Sequence, residues 1–188
     1  MKITLVGGGG YAWTPMLITN FLTNSFFKNT KICLMDIDKE ALSDTAAVCR
    51  IYASKVPESR LIIEETTDLD KALVGASYVI VAIAHGGVKA EIEEFSIGKK
   101  YGYHNMCGEE GGVAGCSRTL RHVRESVRIA RRMEKLCPDA LYLNVSNPLT
   151  AITRSINKYT GIKAYGFCHG VINHLPPLFP LFGADSWD

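Results

Sequence analysis

The sequence lacks a long apolar run, a dense basic tract and any closely spaced pair of cysteines. No apolar stretch approaches the roughly 20 residues of a membrane helix, and the run before Gly7 is too short for a secretory signal. A net charge of +2 without a Lys/Arg-rich tract argues against a nucleic-acid surface. The cysteines stand singly, at positions 33, 49, 107, 116, 137 and 168. We therefore expect a cytoplasmic protein with reduced thiols that binds neither membranes nor nucleic acid.

What the sequence does contain is a strict alternation of short apolar runs and helical patterns. The strand-like runs are 2–6, 31–35, 61–64, 78–84, 140–144 and 163–167. The helix-like segments are 15–28, 39–55, 69–74, 88–101, 117–136 and 149–158. Near-continuous apolar strands between helices are typical of a parallel sheet that is covered on both faces. The sequence therefore predicts one α/β domain over residues 1–188, with a Rossmann-like, doubly wound and mostly parallel sheet.

The chain begins with MKITLVGGGGYAWTP, a strand followed by a glycine-rich turn. Gly7, Gly9 and Ala12 fit the G-x-G-x-x-A form of the dinucleotide fingerprint. In that fingerprint the first glycine permits a tight turn, the second admits a pyrophosphate, and the small third residue lets helix and strand pack closely. Thr14 and Pro15 suit the N-cap and the first helical position. The phosphates are expected at the helix N-terminus.

An acidic residue stands where the fingerprint requires one. Asp36 ends the second apolar run, 24 positions after Ala12, and is expected to accept hydrogen bonds from the adenosine ribose. A carboxylate there repels a 2′-phosphate, which favours NAD over NADP. The alternative is that Asp36 or Asp38 only caps the helix that begins at Lys39. Asp38 can fill that role and leave Asp36 free for the cofactor.

Polar residues cluster after the later strands, where ligands bind in open α/β sheets. Glu109 and Glu110 lie on the glycine-rich segment GEEGGVAG, which offers backbone amides and carboxylates to a ligand. The alternative is that the glycines serve only the turn and the glutamates the helix entry. Asn147, in the Asn-Pro step after the fifth strand, can present its amide to a cofactor or substrate. Its alternative is an Asx-type turn.

The sixth strand ends in Cys168 and His169. A thiolate and an imidazole are both transition-metal ligands, but consecutive residues of an extended segment point to opposite faces. We therefore assign Cys168 to a metal and His169 to proton transfer near neutral pH. The alternative is a core thiol beside an ordinary histidine.

Six arginines follow the acidic segment with helical spacing, and such a pattern is usually a solvated face. Arg118 and Arg121, which are next to the glycine-rich segment, are candidates for an anionic ligand. The six are Arg118, Arg121, Arg124, Arg128, Arg131 and Arg132.

Taken together, these motifs resemble glycoside hydrolase family 4, the NAD- and divalent-metal-dependent glycosidases. The resemblance covers nearly the whole chain in the right order. The Asn-Pro step is shared with malate and lactate dehydrogenases, whereas the acidic loop and the Cys-His-Gly step favour the glycosidases. The motifs are GGGGYAWTP, LMDID, TTDLDKALVGASYVIVAI, GEEGGVAG followed by RTLR, LNVSNP and GFCHG.

The resemblance implies an unusual hydrolysis. NAD oxidises the sugar's C3 hydroxyl to a ketone, a base removes the acidified C2 proton, and the glycosidic oxygen leaves by elimination. Water then adds at C1, and the bound NADH reduces the ketone. A metal ion, usually Mn²⁺, holds the C2 and C3 oxygens as a Lewis acid.

By motif match, each predicted site residue receives a role. Gly7, Gly9, Ala12 and Asp36 hold NAD, and Cys168 is a metal ligand. Glu109 and Asn147 bind the sugar, and His169 is catalytic as the proton donor to the leaving group.

The Cys-His-Gly step resembles the branch of the family that acts on α-glucuronides and α-galacturonides. A uronate carboxylate suits bidentate pairing with an arginine, and Arg118 is the candidate. Phosphosugar branches carry Asp or Asn after the cysteine, so a phosphosugar is disfavoured.

Family members are longer than this chain, which ends at Asp188, 20 residues after Cys168. The resemblance therefore implies an N-terminal half without the second histidine ligand and the tyrosine base, since His174 is too close to match. We expect the full-length protein to be a homo-oligomer that binds a small carbohydrate. Two alternatives stay open: a malate/lactate-type 2-hydroxy-acid dehydrogenase, for which His174 and Asp185 are a poor catalytic pair, and an inactive NAD-binding fragment.

Overall fold

A computed structural model describes residues 1–103, 109–170 and 174–183 and contains a six-stranded parallel sheet. Gly108, which opens the predicted acidic loop, Cys107 and Asp185 lie outside the described residues. The strands run in the order β3-β2-β1-β4-β5-β6, which confirms the predicted class of α/β fold. Their bounds are β1 Lys2–Val6, β2 Lys31–Met35, β3 Ile62–Thr66, β4 Tyr78–Val81, β5 Leu141–Asn144 and β6 Ala164–Gly166.

Helices cover both faces of this sheet. They are α1 Trp13–Thr23, α2 Lys39–Ser54, α3 Leu69–Leu73, α4 Gly87–Lys100, α5 Gly112–Leu136 and α6 Leu149–Tyr159, with short 3₁₀ segments at Ser25–Phe27, Pro57–Ser59 and Pro176–Phe182. None of the helices in the described part of the chain has the length and apolar character that a bilayer span requires.

Two apolar cores lie on opposite faces of the sheet because successive strand residues point to opposite sides. Ile32 and Leu34 of β2 pack with α1 and α2, whereas Cys33 and Met35 pack with α3, α5 and α6. The strands are therefore apolar on both sides, which produces the near-continuous apolar runs in the sequence. Cys33 and Cys49 are buried as predicted.

Several element boundaries differ from the sequence prediction. Helix α1 begins at Trp13, so Thr14 lies inside the helix and is not its N-cap, and Ala12 takes the position before the helix. Helix α5 begins at Gly112, five residues before the predicted start at position 117. Strand β4 ends at Val81 because β1 ends at Val6 in the matching register.

The glycine-rich turn after β1 is fixed against both neighbouring strands. The backbone amides of Gly7 and Gly8 donate to the carbonyl of Met35 at 2.9 and 2.8 Å. Gly7 has a φ of +93°, and a Cβ there would overlap the carbonyl oxygen of Ala82. Gly7 therefore provides the tight turn that the fingerprint predicts.

We predict that Gly7→Ala destabilises the protein more than Gly75→Ala does. Gly75 also has a positive φ, of +71°, but a Cβ there would face open space. Gly75→Ala therefore costs only backbone strain, about 1–2 kcal/mol, whereas Gly7→Ala adds an overlap with backbone that must move. Urea unfolding gives both free energies of unfolding, and equal losses would contradict this reading of the turn.

Candidate functional site

A large cleft of about 800 Å³ opens at the carboxyl ends of β1, β2 and β4. Its volume is in the range of small-molecule and cofactor pockets. The predicted cofactor residues Gly7, Gly9 and Asp36 all line it, together with Gly10, Ile37, Asp38 and residues 82–88. We refer to it as the larger cleft.

The Asp36 carboxylate holds the glycine-rich turn in place. Its Oδ2 accepts from the Gly9 amide at 2.8 Å, and its Oδ1 accepts from the Asp38 amide at 3.1 Å. A Cβ on Gly9 would stand 2.9 Å from Asp36 Oδ2, so the absence of a side chain permits this contact. Asp38 caps α2 through the amides of Glu40 and Ala41. The prediction that Asp38, and not Asp36, caps this helix is confirmed.

The turn also fits a phosphate group. The Thr14 hydroxyl, near Gly10 at the start of α1, is buried and has no hydrogen-bond partner among the residues that the structure describes. Such a hydroxyl is free to bind a phosphate oxygen.

Ala12, the third residue of the predicted fingerprint, is exposed and does not line the larger cleft. The expectation that Ala12 allows close packing of helix and strand is wrong, because Ala12 precedes α1, which begins at Trp13 and buries Thr14 and Ile18 instead.

A smaller cleft of about 240 Å³ lies beside the larger one. The two share Ala82, Ile83, Ala84, His85 and Gly87, which follow β4. A ligand in one cleft would therefore be next to a ligand in the other. The smaller cleft is also lined by Trp13, Glu91, Glu109, Arg118, Arg121, His122, Val145, Ser146 and Asn147.

Three predicted substrate residues contact one another in the smaller cleft. Glu109 Oε1 accepts from Arg118 Nη1 at 2.8 Å, and Glu109 Oε2 accepts from Asn147 Nδ2 at 2.5 Å. Asn147 therefore faces a carboxylate rather than its own backbone. The Asx-type contact in this loop is made by Asn144, whose Oδ1 accepts from the Ser146 amide at 3.0 Å.

The second loop glutamate has a structural role. Glu110 Oε1 accepts from the Leu149 amide at 2.5 Å, at the first residue of α6. Pro148 precedes that helix and supplies no side-chain cap, so Glu110 satisfies an amide that the helix leaves unpaired. Glu110 therefore caps the first turn of α6 and not that of α5, the helix that follows it in the chain.

Helices α4 and α5 are joined by a network of charged side chains. Glu94 is 3% exposed and accepts from Arg118 Nε at 3.3 Å and from Arg121 Nη1. Burial raises the pKa of Glu94, but hydrogen bonds and positive charge from Arg121 and Arg118 outweigh it and lower the pKa overall. Glu91 accepts from Arg118 Nη2 at 3.0 Å.

The arginine row of α5 is therefore not a uniform solvated face. Arg124 and Arg131 are exposed as that interpretation predicts, but Arg118 is buried. The anionic groups that Arg118 and Arg121 contact are carboxylates of the protein itself.

His122 is a cleft residue that sequence reasoning missed. Its side chain is 4% exposed, and its Nδ1 has no hydrogen-bond partner in the described chain. Burial lowers the pKa of His122; the backbone carbonyls of Asn147 and His85 raise it, and Arg121 and Arg118 lower it further. The available signal was spacing, because His122 follows Arg118 by four residues and shares its helix face. Glu91 and Glu94, three residues apart on α4, carried the same signal.

The Cys168–His169 step lies at the exposed end of β6. Cys168 Sγ accepts from the Gly170 amide at 3.3 Å. The His169 ring contacts the Trp13 ring, with centroids 5.7 Å apart, and Trp13 lines the smaller cleft. His169 is thus brought beside the smaller cleft. Across residues 1–103, 109–170 and 174–183, no three His, Cys, Asp or Glu side chains form a group that could hold a metal.

Known proteins with similar sequences place these features in a family. The sequence model of the family described as "Family 4 glycosyl hydrolase" matches residues 2–178. An α-galactosidase of Bacillus subtilis is 32% identical over 98% of this chain and 43% of its own length. An α-galacturonidase of Thermoanaerobacterium saccharolyticum is 29% identical over 91% of this chain and 37% of its own length.

A solved structure of similar sequence has a similar fold. The 6-phospho-β-glucosidase of Thermotoga maritima, determined with manganese, NAD⁺ and glucose-6-phosphate, superposes with a TM-score of 0.84 and 27% identity. The match covers 98% of this chain and 45% of that one. This chain therefore spans less than half the length of the relatives it matches. Because the family's model covers almost all of it, the chain belongs to glycosyl hydrolase family 4.

Proposed function

We propose that the larger cleft binds NAD and that the protein is an NAD- and divalent-metal-dependent α-glycosidase. The observation that carries the cofactor assignment is the Asp36 carboxylate at the end of β2, bound to the amide of Gly9 in the glycine-rich turn. Asp36 lines the larger cleft, whose lining residues run from this turn to residues 82–88. The Thermotoga enzyme, whose structure contains NAD⁺, supports the assignment.

We propose further that the sugar binds in the smaller cleft. NAD, when bound, would accept a hydride from the sugar's C3 and return it at the end of the cycle. The residues shared by the two clefts would keep cofactor and sugar adjacent, as such a transfer requires. The Glu109 carboxylate and the Asn147 amide, already in contact, would bind and orient sugar hydroxyls.

His169 would donate a proton to the glycosidic oxygen as it leaves, which is general acid catalysis. This role is supported by the contact of its ring with Trp13, a residue that lines the smaller cleft. Cys168 would be one ligand of the metal. Since the described residues offer no complete ligand group beside it, we assign no reaction step to the metal.

For the substrate we propose an α-uronide. Arg118 and Arg121 line the smaller cleft, and guanidinium groups suit a sugar carboxylate; α-galacturonidases are among the relatives. A neutral α-galactoside is the second candidate. It is favoured by the α-galactosidase relative and by the protein carboxylates that already occupy Arg118.

We predict that the protein prefers NAD to NADP and that Asp36→Asn reduces this preference at least about tenfold, because a neutral amide no longer repels a 2′-phosphate. Isothermal titration of both cofactors measures the ratio of dissociation constants. Asp44→Asn, the same charge change on the exposed side of α2, is the matched control. A wild-type protein that binds NADP as tightly as NAD would contradict the cofactor assignment.

We also predict that His169→Gln slows hydrolysis according to the leaving group. Loss of a general acid typically costs about 10²–10⁴-fold, and this cost falls on alkyl α-uronides, whose leaving alcohol needs a proton. Nitrophenyl α-uronides need little protonation and should be slowed far less.

The assay uses the whole gene product with NAD and Mn²⁺, and His174→Gln, an exposed histidine nearby, is the control. Equal losses of kcat for both leaving groups would remove His169 from the acid role. Hydrolysis that needs neither NAD nor metal would refute the proposed function.

A further inference from the structure

Arg118 is held by three carboxylates that differ in how firmly they are fixed. Glu94 is buried and is shared with Arg121. Glu109 is shared with Asn147. Glu91 has a side chain that is 41% exposed, and within the described chain Arg118 is its ion-pair partner. Glu91 is therefore the carboxylate that can leave Arg118 with the least disturbance.

The ion-pair network beside the smaller cleft, which includes Glu94 behind the lining residues, carries more negative than positive charge. Arg118 and Arg121 supply two positive charges, whereas Glu91, Glu94 and Glu109 supply three negative ones. Burial lowers the pKa of Arg118, but hydrogen bonds and negative charge from Glu91 and Glu94 outweigh it and raise the pKa overall, so that the guanidinium stays charged. An anionic sugar entering this cleft would bring a fourth carboxylate to the same two guanidiniums. Carboxylates that share one site repel each other.

Exchange resolves this conflict. If the sugar carboxylate replaces Glu91 on Nη2 of Arg118, the number of carboxylates paired with the two arginines is unchanged. The displaced Glu91 carboxylate is then solvated by water, to which its side chain is already partly exposed. Glu91 lies in the second turn of α4 and lines the cleft, so its side chain can turn toward solvent without moving the helix. Glu94, one turn further along α4, keeps Arg118 in place during the exchange.

We propose that Glu91 is a specificity-determining residue that occupies the anion position on Arg118 and is exchanged for the carboxylate of a uronate. The proposal rests on the proposed function, since it assumes that the smaller cleft receives the sugar. Glu91 thereby competes with anionic sugars and sets how strongly the cleft prefers them to neutral ones.

The test compares Glu91→Gln with Glu93→Gln. Glu93 is on the same helix, is exposed, and forms no ion pair among the described residues. Both variants therefore remove one negative charge, but only Glu91→Gln removes a carboxylate that is paired with Arg118, leaving at most a neutral amide on Nη2 for a uronate to displace. Binding of galacturonate and of galactose to the NAD-loaded protein is measured by titration calorimetry, and thermal melts confirm that each variant is folded.

Glu91→Gln is expected to tighten galacturonate binding relative to galactose by roughly two- to fivefold, the range that a half-exposed ion pair implies. Glu93→Gln should leave this ratio near that of the wild type. A Glu91→Gln ratio equal to that of Glu93→Gln, or a weaker affinity for galacturonate, would overturn the proposal. Binding of galactose without any uronate binding, even in Glu91→Gln, would overturn it while leaving an α-glycosidase function intact. Binding of neither sugar by any variant would overturn the proposed function and the exchange together.

Discussion

The site depends on the close approach of the glycine-rich turn to the strands on either side of β1. Gly7 and Gly8 donate to Met35 of β2, and Gly7 lies against Ala82 after β4. No residue with a side chain could occupy Gly7 without moving that backbone. This approach brings the ends of three strands together and opens the larger cleft between them.

A second constraint comes from buried charge. Glu94 has lost almost all contact with water, and such a carboxylate is tolerated only when it is paired and hydrogen-bonded. Arg118, which shares Glu94 with Arg121, extends the pairing to Glu91 and Glu109, and Glu109 extends it to Asn147. The wall of the smaller cleft is therefore one connected unit. Removal of Arg118 would leave Glu91 without its ion-pair partner among the described residues, and removal of Glu109 would take the carboxylate from the Asn147 amide.

Much of this organisation could be predicted from the sequence because it depends on local pattern. The apolar runs indicated the six parallel strands, and the Gly7–Gly9–Asp36 spacing indicated three residues that line the larger cleft. Asp38 as a helix cap follows from its position before Lys39. These features could be predicted because they depend on residues close together in the sequence and on the alternation of side chains along a strand.

What the sequence did not reveal depends on contacts between distant segments. Helix α5 begins at Gly112, although glycine disfavours helices, and its first turns pack where α4 and the loop of Glu109 meet. The burial of Arg118 requires Glu91 and Glu94, which lie 27 and 24 residues earlier in the chain. Ala12 matched the fingerprint by spacing, yet a helix start shifted by two residues from the predicted one placed it in solvent. Spacing alone cannot show such shifts.

We propose, as the resemblance to family 4 implies, that a hydride leaves the sugar's C3 and returns to it, so that the C2 proton becomes acidic and exchanges with solvent. The direct measurement is hydrolysis of an unlabelled α-uronide by the whole gene product in D₂O, with NAD and Mn²⁺ present. Our account predicts that the released sugar carries deuterium at C2, as mass spectrometry or proton NMR will show. A released sugar that retains its original hydrogen at C2 would contradict it.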